Sequence, residues 1–199
     1  CDVIHFVRYA QILAERGARV IVEAQPALAS LLIDVPGVSQ AISIGDAFPD
    51  FDYHIAMMSV PRLVQTTLET IPNDMPYILP PAIAHETWRA ITRADARTEG
   101  KKKLRVGLAW SGNPGHANDR NRSIALRHLA PVLAVPGCQF HVLQKDVRDS
   151  DLAALIAATA ATPPLVDPRG LIGDLADTAA IMAQMDLVIA VDTAAAHLS

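Results

Sequence analysis

Aromatic residues are scarce, at 5% of the 199-residue chain, and cysteine is scarcer, with Cys1 and Cys138 alone. Two cysteines without metal-ligand or redox spacing give no sign of a disulfide framework or of a zinc motif. No apolar run approaches the roughly 20 residues needed to span a bilayer, and no signal peptide is present. A basic face is missing too. Net charge is -4, and the longest basic run, Lys101-Lys102-Lys103, reads most simply as a solvated tether, so no nucleic-acid partner is expected. The phosphate-loop pattern Gly-x-x-x-x-Gly-Lys-Ser/Thr is absent, and so is Gly-x-Gly-x-x-Gly after a strand, which argues against a dinucleotide cofactor. An initiator Met is also lacking. The chain reads as a soluble cytoplasmic fragment of something longer.

What the chain does have is aliphatic. Apolar residues make up 51% of it, and Ala, Leu, Ile and Val dominate. Helices laid on parallel strands have this composition, whereas a β-sandwich does not. Over 2–16, the apolar residues Val3, Ile4, Val7, Ala10, Leu13 and Ala14 are spaced for an amphipathic helix, with Gly17 suited to its C-cap. A strand over 18–23 follows, then a helix started by Pro26 and running over 27–33, and a turn at Pro36-Gly37. Strands are expected over 41–44 and 52–57, and a helix capped by Ser59 over 61–70. Prolines at 72, 76, 80 and 81 interrupt the pattern, and a helix over 85–98 leads into the polar stretch 99–103.

From 104 the rhythm restarts. A strand over 104–110, a loop over 111–121, a helix over 126–133, a strand over 139–143 and an Ala-rich helix over 150–160 follow in turn. Leu165-Val166 reads as a short strand, Asp174 as the cap of a helix ending at Met185, and 187–191 as a last strand. Strands alternating with helices imply mostly parallel sheets. The expected architecture is α/β, with an N-terminal Rossmann-like domain over 1–82, a linker over 83–103, and a C-terminal Rossmann-like domain over 104–199 that is incomplete.

Two strand exits carry residues suited to an anion. Asp192-Thr193 directly follows the last strand. It is an ordinary N-cap, or else Thr193 and the amides after it hold a phosphate, with Asp192 orienting them and His197 one turn on. The loop from Trp110 to Ser123 follows an earlier strand. There Ser111 and Gly112 offer a hydroxyl and an open backbone N–H, while Arg120 and Arg122 can clamp an anion bidentately. A plain surface loop is the alternative. Asp174-Leu-Ala-Asp177-Thr178 is a strong capping pattern, and Gly170 and Gly173 would let backbone approach a ligand. Asp2 stands at the first helix start, where a carboxylate stabilises the dipole or, at that domain's ligand edge, acts as a general base.

Together these stretches resemble one family. Asp2-Val-Ile-His-Phe-Val-Arg-Tyr9, Thr67-Leu-Glu-Thr-Ile-Pro72, Gly107-Leu-Ala-Trp-Ser-Gly-Asn-Pro114, Asn118-Asp-Arg-Asn-Arg-Ser123, Asp174-x-x-Asp177-Thr178-Ala179 and Asp192-Thr-Ala-x-Ala-His197-Leu198 occur in order across essentially the whole chain. They are similar to the glycosyltransferase-like domain of bacterial tetratricopeptide-repeat proteins. Wider relatives are the lipopolysaccharide heptosyltransferases of glycosyltransferase family nine. That resemblance implies a GT-B fold, two Rossmann-like domains facing a cleft, and transfer of a sugar from a nucleotide-diphosphate sugar. The transfer would invert the sugar carbon, needing neither metal nor cofactor.

On this basis Asp2 would deprotonate the acceptor hydroxyl. Thr193 with the amides of Ala194 and Ala195 would hold the diphosphate, and Asp192 and His197 would support them. Ser111, Gly112 and Arg122 would close from the other side, with Asn113, Arg120, Asp174 and Asp177 in support. The acceptor, whether saccharide, lipid or protein, is left open. Some features depart from the family: Cys1 replaces a Gly, Ala194 replaces a Gly common in heptosyltransferases, and the family continues past His197. The fragment is therefore expected to be weakly active or inactive, and its truncated edge to permit self-association. A non-catalytic nucleotide-sugar-binding or scaffold module is the competing reading, and an unrelated Rossmann-type nucleotide enzyme a third.

Overall fold

Helical spacing over 2–16 does produce helix, though not one regular segment. In the computed structural model, which describes residues 2–95, 103–161 and 165–199, α1 (Asp2–Phe6) passes through a 3-10 turn (Val7–Tyr9) into α2 (Ala10–Glu15). Cys1, the end of the helix expected over 85–98 and the Lys101-Lys102 part of the basic run lie outside the described residues. At the 3-10 turn, Arg8 Nε donates to the His5 carbonyl at 2.9 Å, the group an α-helical Tyr9 amide would use. Gly17 N–H donates to Ala14 O at 2.9 Å and Ala18 N–H to Leu13 O at 3.1 Å, the paired bonds of a Schellman ending.

The chain divides into two units, Cys1–Pro81 and Ala82–Ser199. In the first, β1 (Val20–Ala24) and β2 (Val38–Ser43) pair in parallel, joined through α3 (Pro26–Leu32). Pro26 opens α3, where its missing N–H costs nothing, and Leu28, Leu31 and Leu32 are buried as the helix covers both strands. Between α3 and β2 the turn at Gly37 lies directly on α2. A Cβ there would stand 2.4 Å from Gln11 Cα, and the residue's φ is +84°.

Two expectations fail in this unit. Residues 52–57 are not a strand. Their apolar alternation has no covered face, since Tyr53 is 93% exposed and Ile55 44%, and alternation alone does not supply a paired edge. The helix expected over 61–70 stops as α4 (Val60–Leu63). Gln65 takes φ 59°, its N–H donates to Arg62 O at 3.2 Å, and Thr66 N–H donates to Pro61 O at 2.8 Å, which closes the helix. The β-branched Thr67 then caps a separate 3-10 turn, Leu68–Thr70, in a capping box with Thr70. The proline-rich stretch after it is tied back by Arg8. The guanidinium donates to Tyr77 OH at 2.7 Å and Pro72 O at 3.1 Å, and stands 4.4 Å from the centre of the Tyr77 ring.

The second unit begins with α5 (Ala82–Asp95), so much of the expected linker is helix. Its Trp88 is 2% exposed and belongs to a core shared with Leu143, Ile172 and Ile181. Next come β3 (Leu104–Ala109), a long loop ending in α6 (Asp119–Arg122), and a 3-10 turn (Leu126–Leu129) leading into α7 (Ala130–Leu133). Pro131 divides what was expected as one helix, because it has no N–H for the Arg127 carbonyl. β4 (Cys138–Val142), α8 (Asp149–Thr159), α9 (Leu175–Met182), β5 (Leu187–Ala190) and α10 (Ala194–Leu198) complete the unit. Leu165-Val166 contributes one parallel bridge, Val166 to His141.

The sheet order is β4-β3-β5, all parallel. Val106, Leu108 and Trp110 face one core, with Phe140, Val142 and Leu155, while Ala109 faces the other. Burial on both faces explains the near-continuous apolar run of β3. Asp186 fixes where β5 starts: its Oδ2 accepts the Arg105 N–H at 2.8 Å and lies 3.7 Å from Arg105 Nε. The architecture is thus α/β, with two small parallel sheets and their helices. Among the described residues, no helix is long and apolar enough to cross a membrane.

Candidate functional site

In the sheet order β4-β3-β5, β3 is followed by a connection to one side of the sheet, and β5 lies on its other side. Such a reversal opens a crevice at the carboxyl ends of the strands, the usual ligand position in open α/β sheets. Loops leaving β3, β4 and β5 all meet there, held by side chains.

Gln144, just after β4, joins the first two loops. Its Oε1 accepts the Trp110 and Ser111 amides at 2.8 and 3.1 Å, and its Nε2 donates to Ser111 Oγ at 2.9 Å and Asp146 O at 2.8 Å. The Gly112 amide donates to Ser123 Oγ at 3.0 Å, and that hydroxyl donates onward to Asp119 Oδ1 at 2.8 Å. Hence the Gly112 amide, expected to be open to a ligand, is already paired within the unit, and so are the Ser111 amide and the Ser111 hydroxyl oxygen that was expected to face the ligand. Their role is to shape the loop.

Arg122 joins the loop after β3 to the one after β5. Nη1 donates to the Asp192 carbonyl at 2.9 Å, and Nε lies 3.7 Å from Asp119 Oδ1. Nε–H itself is buried and has no acceptor. The guanidinium rests against the Gly112 backbone, where a Cβ would stand 2.8 Å from Nη2. Asp119, only 6% exposed, also receives Arg148 Nη2 on its Oδ2. Arg148 is the residue before α8, at the end of the connection from β4.

On the β5 side, Thr193 occupies the N-cap of α10 without a capping bond, and its hydroxyl donates to Val191 O at 3.2 Å. In the first turn of α10 the Ala196 amide donates to Thr193 O at 3.1 Å, whereas those of Ala194 and Ala195 have no partner inside the helix. His197 Nε2 lies 3.6 Å from Asp192 Oδ1. Ser111, Gly112, Arg122, Asp192, Thr193 and His197 therefore lie on one sheet edge.

Other expected residues are elsewhere or otherwise engaged. Asn113 is exposed and accepts the Gly115 amide at 2.8 Å. Arg120 is exposed and hydrogen-bonds to none of these groups. Asp174 caps α9, accepting the Ala176 and Asp177 amides at 2.8 and 3.2 Å. Asp177 accepts the Trp88 indole N–H at 2.8 Å and the Gly173 amide at 2.7 Å. Asp177 thus ties α5 to α9, and Asp174 caps the start of α9. Asp2 is exposed at the start of α1 in the first unit.

Sequence reasoning missed Asp119, Ser123, Gln144 and Arg148. For Gln144 a signal was present, since it follows β4 closely at the same carboxyl edge, whereas Arg148 stands at the far end of that connection, immediately before α8. Behind that edge, His141 in β4 is 2% exposed and its Nε2 has no partner. Burial, and secondarily the charge of Arg105, hold its pKa down at about 4. Among the described residues, no group of three or more His, Cys, Asp or Glu side chains is arranged to hold a metal ion. Comparison with protein-family models, curated proteins and solved structures finds no match to this chain.

Proposed function

We propose that the second unit holds the diphosphate of a nucleotide-sugar at the β3–β5 carboxyl edge, within a glycosyltransferase-like domain of the GT-B type. The two α/β units are read as its acceptor-side and donor-side halves. The observation that carries this reading is Arg122, a guanidinium at a sheet crevice that uses a single hydrogen bond, to Asp192 O at 2.9 Å, and keeps a buried Nε–H without an acceptor. An oxyanion there would satisfy donors that the protein leaves unpaired.

In the reaction, the acceptor hydroxyl oxygen attacks the anomeric carbon as the bond from that carbon to the diphosphate oxygen breaks. By the family resemblance the hydroxyl proton would pass to Asp2, and the nucleoside diphosphate would leave with the bonding pair. Direct displacement inverts the anomeric centre. Arg122 stabilises the charge gathering on the leaving group, a contribution of about 3 kcal/mol for one well-placed donor. Metal independence follows from the family resemblance.

Titration with uridine, guanosine, adenosine and cytidine diphosphates tests the binding. Saturable binding of at least one is expected, weakened about tenfold or more by Arg122→Ala. No saturable binding to any, or binding indifferent to Arg122→Ala, would count against the proposal. A non-catalytic binding module is the second reading, favoured by the internal pairing of the Ser111 and Gly112 amides. Diphosphate binding without sugar transfer or nucleotide-sugar hydrolysis, unchanged by Asp2→Asn, would select it.

A further inference from the structure

Asp119 sits between two arginines. Its carboxylate lies 3.7 Å from Arg122 Nε, receives Arg148 Nη2 on the other oxygen, and accepts the Ser123 hydroxyl at 2.8 Å. Two guanidiniums therefore share one carboxylate that is 6% exposed. Arg148 Nε–H, like that of Arg122, is buried without an acceptor. The two side chains are 33% and 14% exposed, so neither is sealed in the core. No other carboxylate among the described residues pairs with Arg148. Asp151, the buried acid of α8, accepts the Trp110 indole at 3.0 Å and the Leu126 amide at 3.1 Å. The Asp192 carboxylate is 77% exposed and lies beside His197.

A buried charge is retained when paired, and a planar guanidinium pairs best with an oxyanion in bidentate fashion. Here the second arginine has half a partner. The two guanidiniums are brought to opposite oxygens of one carboxylate, so two cationic donors converge on a single anionic group. We propose that Arg148 is a second anion-binding side chain, holding one phosphoryl group of a diphosphate while Arg122 holds the other, and that Asp119 positions both. The inference deepens the diphosphate reading above and rests on it.

Inorganic phosphate and inorganic pyrophosphate, titrated calorimetrically against the full chain, provide the test. The wild-type protein is expected to bind pyrophosphate about tenfold more tightly than phosphate. Arg148→Gln is expected to lower pyrophosphate affinity about tenfold and to leave phosphate affinity within about twofold. Equal losses for both anions would mark a purely structural role and overturn the assignment, as would no loss at all. Should Arg148→Gln fail to fold, Arg148→Lys keeps the charge but not the planar fork, and a selective loss for pyrophosphate is still required of it. Wild-type protein that binds a nucleoside diphosphate but does not prefer pyrophosphate over phosphate would sink this inference and spare the proposed function. Pyrophosphate preference lost in Arg148→Gln, with no nucleoside diphosphate bound, would do the reverse.

Discussion

At Gly112 a missing side chain makes room for a neighbour. An added Cβ would meet Arg122 Nη2 at 2.8 Å, Arg122 Cζ at 3.1 Å and Asp119 Oδ1 at 3.1 Å. All three are side-chain atoms, so the fold can yield while the guanidinium is pushed out of place. Gly112→Ala is accordingly expected to change unfolding stability by less than about 1 kcal/mol and to weaken diphosphate binding about tenfold. Parallel denaturation and calorimetry measure both, and a variant that unfolds easily yet binds normally would contradict it. Residues differ in how legible they are for a simple reason of range. The Asp174 cap can be read from sequence because its bonds reach two and three residues on. Asp119 cannot, because the Arg148 that pairs with it is 29 residues away, and Gln144 meets Ser111 across 33. The same distance hides the fact that the Ser111 amide is already spent.

Elements were legible where both pattern and termination were local. Pro26, Gly17 and Asp174 mark helix ends that the structure contains, and the apolar run of β3 reads correctly because both its faces are covered. The 52–57 segment shows the limit of periodicity. Its alternation matches a strand, but pairing depends on an edge elsewhere in the unit, which no short window reveals. The split of α4 from the following 3-10 turn depends on Gln65 adopting φ 59°, an uncommon conformation for a side chain of that size. Gly37 is where one element depends most on another. Its φ of +84° and its 2.4 Å approach to Gln11 backbone leave no room for a methyl group. Gly37→Ala is expected to destabilise the first unit by more than about 2 kcal/mol, from left-handed strain and backbone overlap together. Thermal unfolding would show it, and an unchanged midpoint would mean that α2 can move aside.

At the level of the whole molecule, the α/β class is plain from composition and strand–helix alternation, whereas the assignment of Ala82–Asp95 to the second unit is not. That helix is placed by Trp88, whose indole reaches Asp177 across 89 residues. The second unit also carries a pH dependence that no motif announces. Folded His141 has a pKa of about 4 against an ordinary 6.5. Between those values the unfolded chain binds a proton that the folded chain refuses. Stability from this group is therefore complete above about pH 6.5 and declines as pH falls towards about 4, by about 3 kcal/mol at most. Chemical denaturation across that window, followed by circular dichroism, is expected to show the decline in wild-type protein and a flatter profile in His141→Gln. Identical profiles would remove His141 from the account.

The few aromatic residues are also divided between the units. Tyr9, Tyr53 and Tyr77 all fall in the first unit, and Trp88 and Trp110 both fall in the second. The indoles further belong to different cores, Trp88 with Ile181 and Trp110 with Phe140. The chain is thus optically partitioned by its own composition. Phenol absorbance follows one unit, selectively excited indole emission follows the other, and a single Trp→Phe exchange separates the two layers of the second unit without any attached dye.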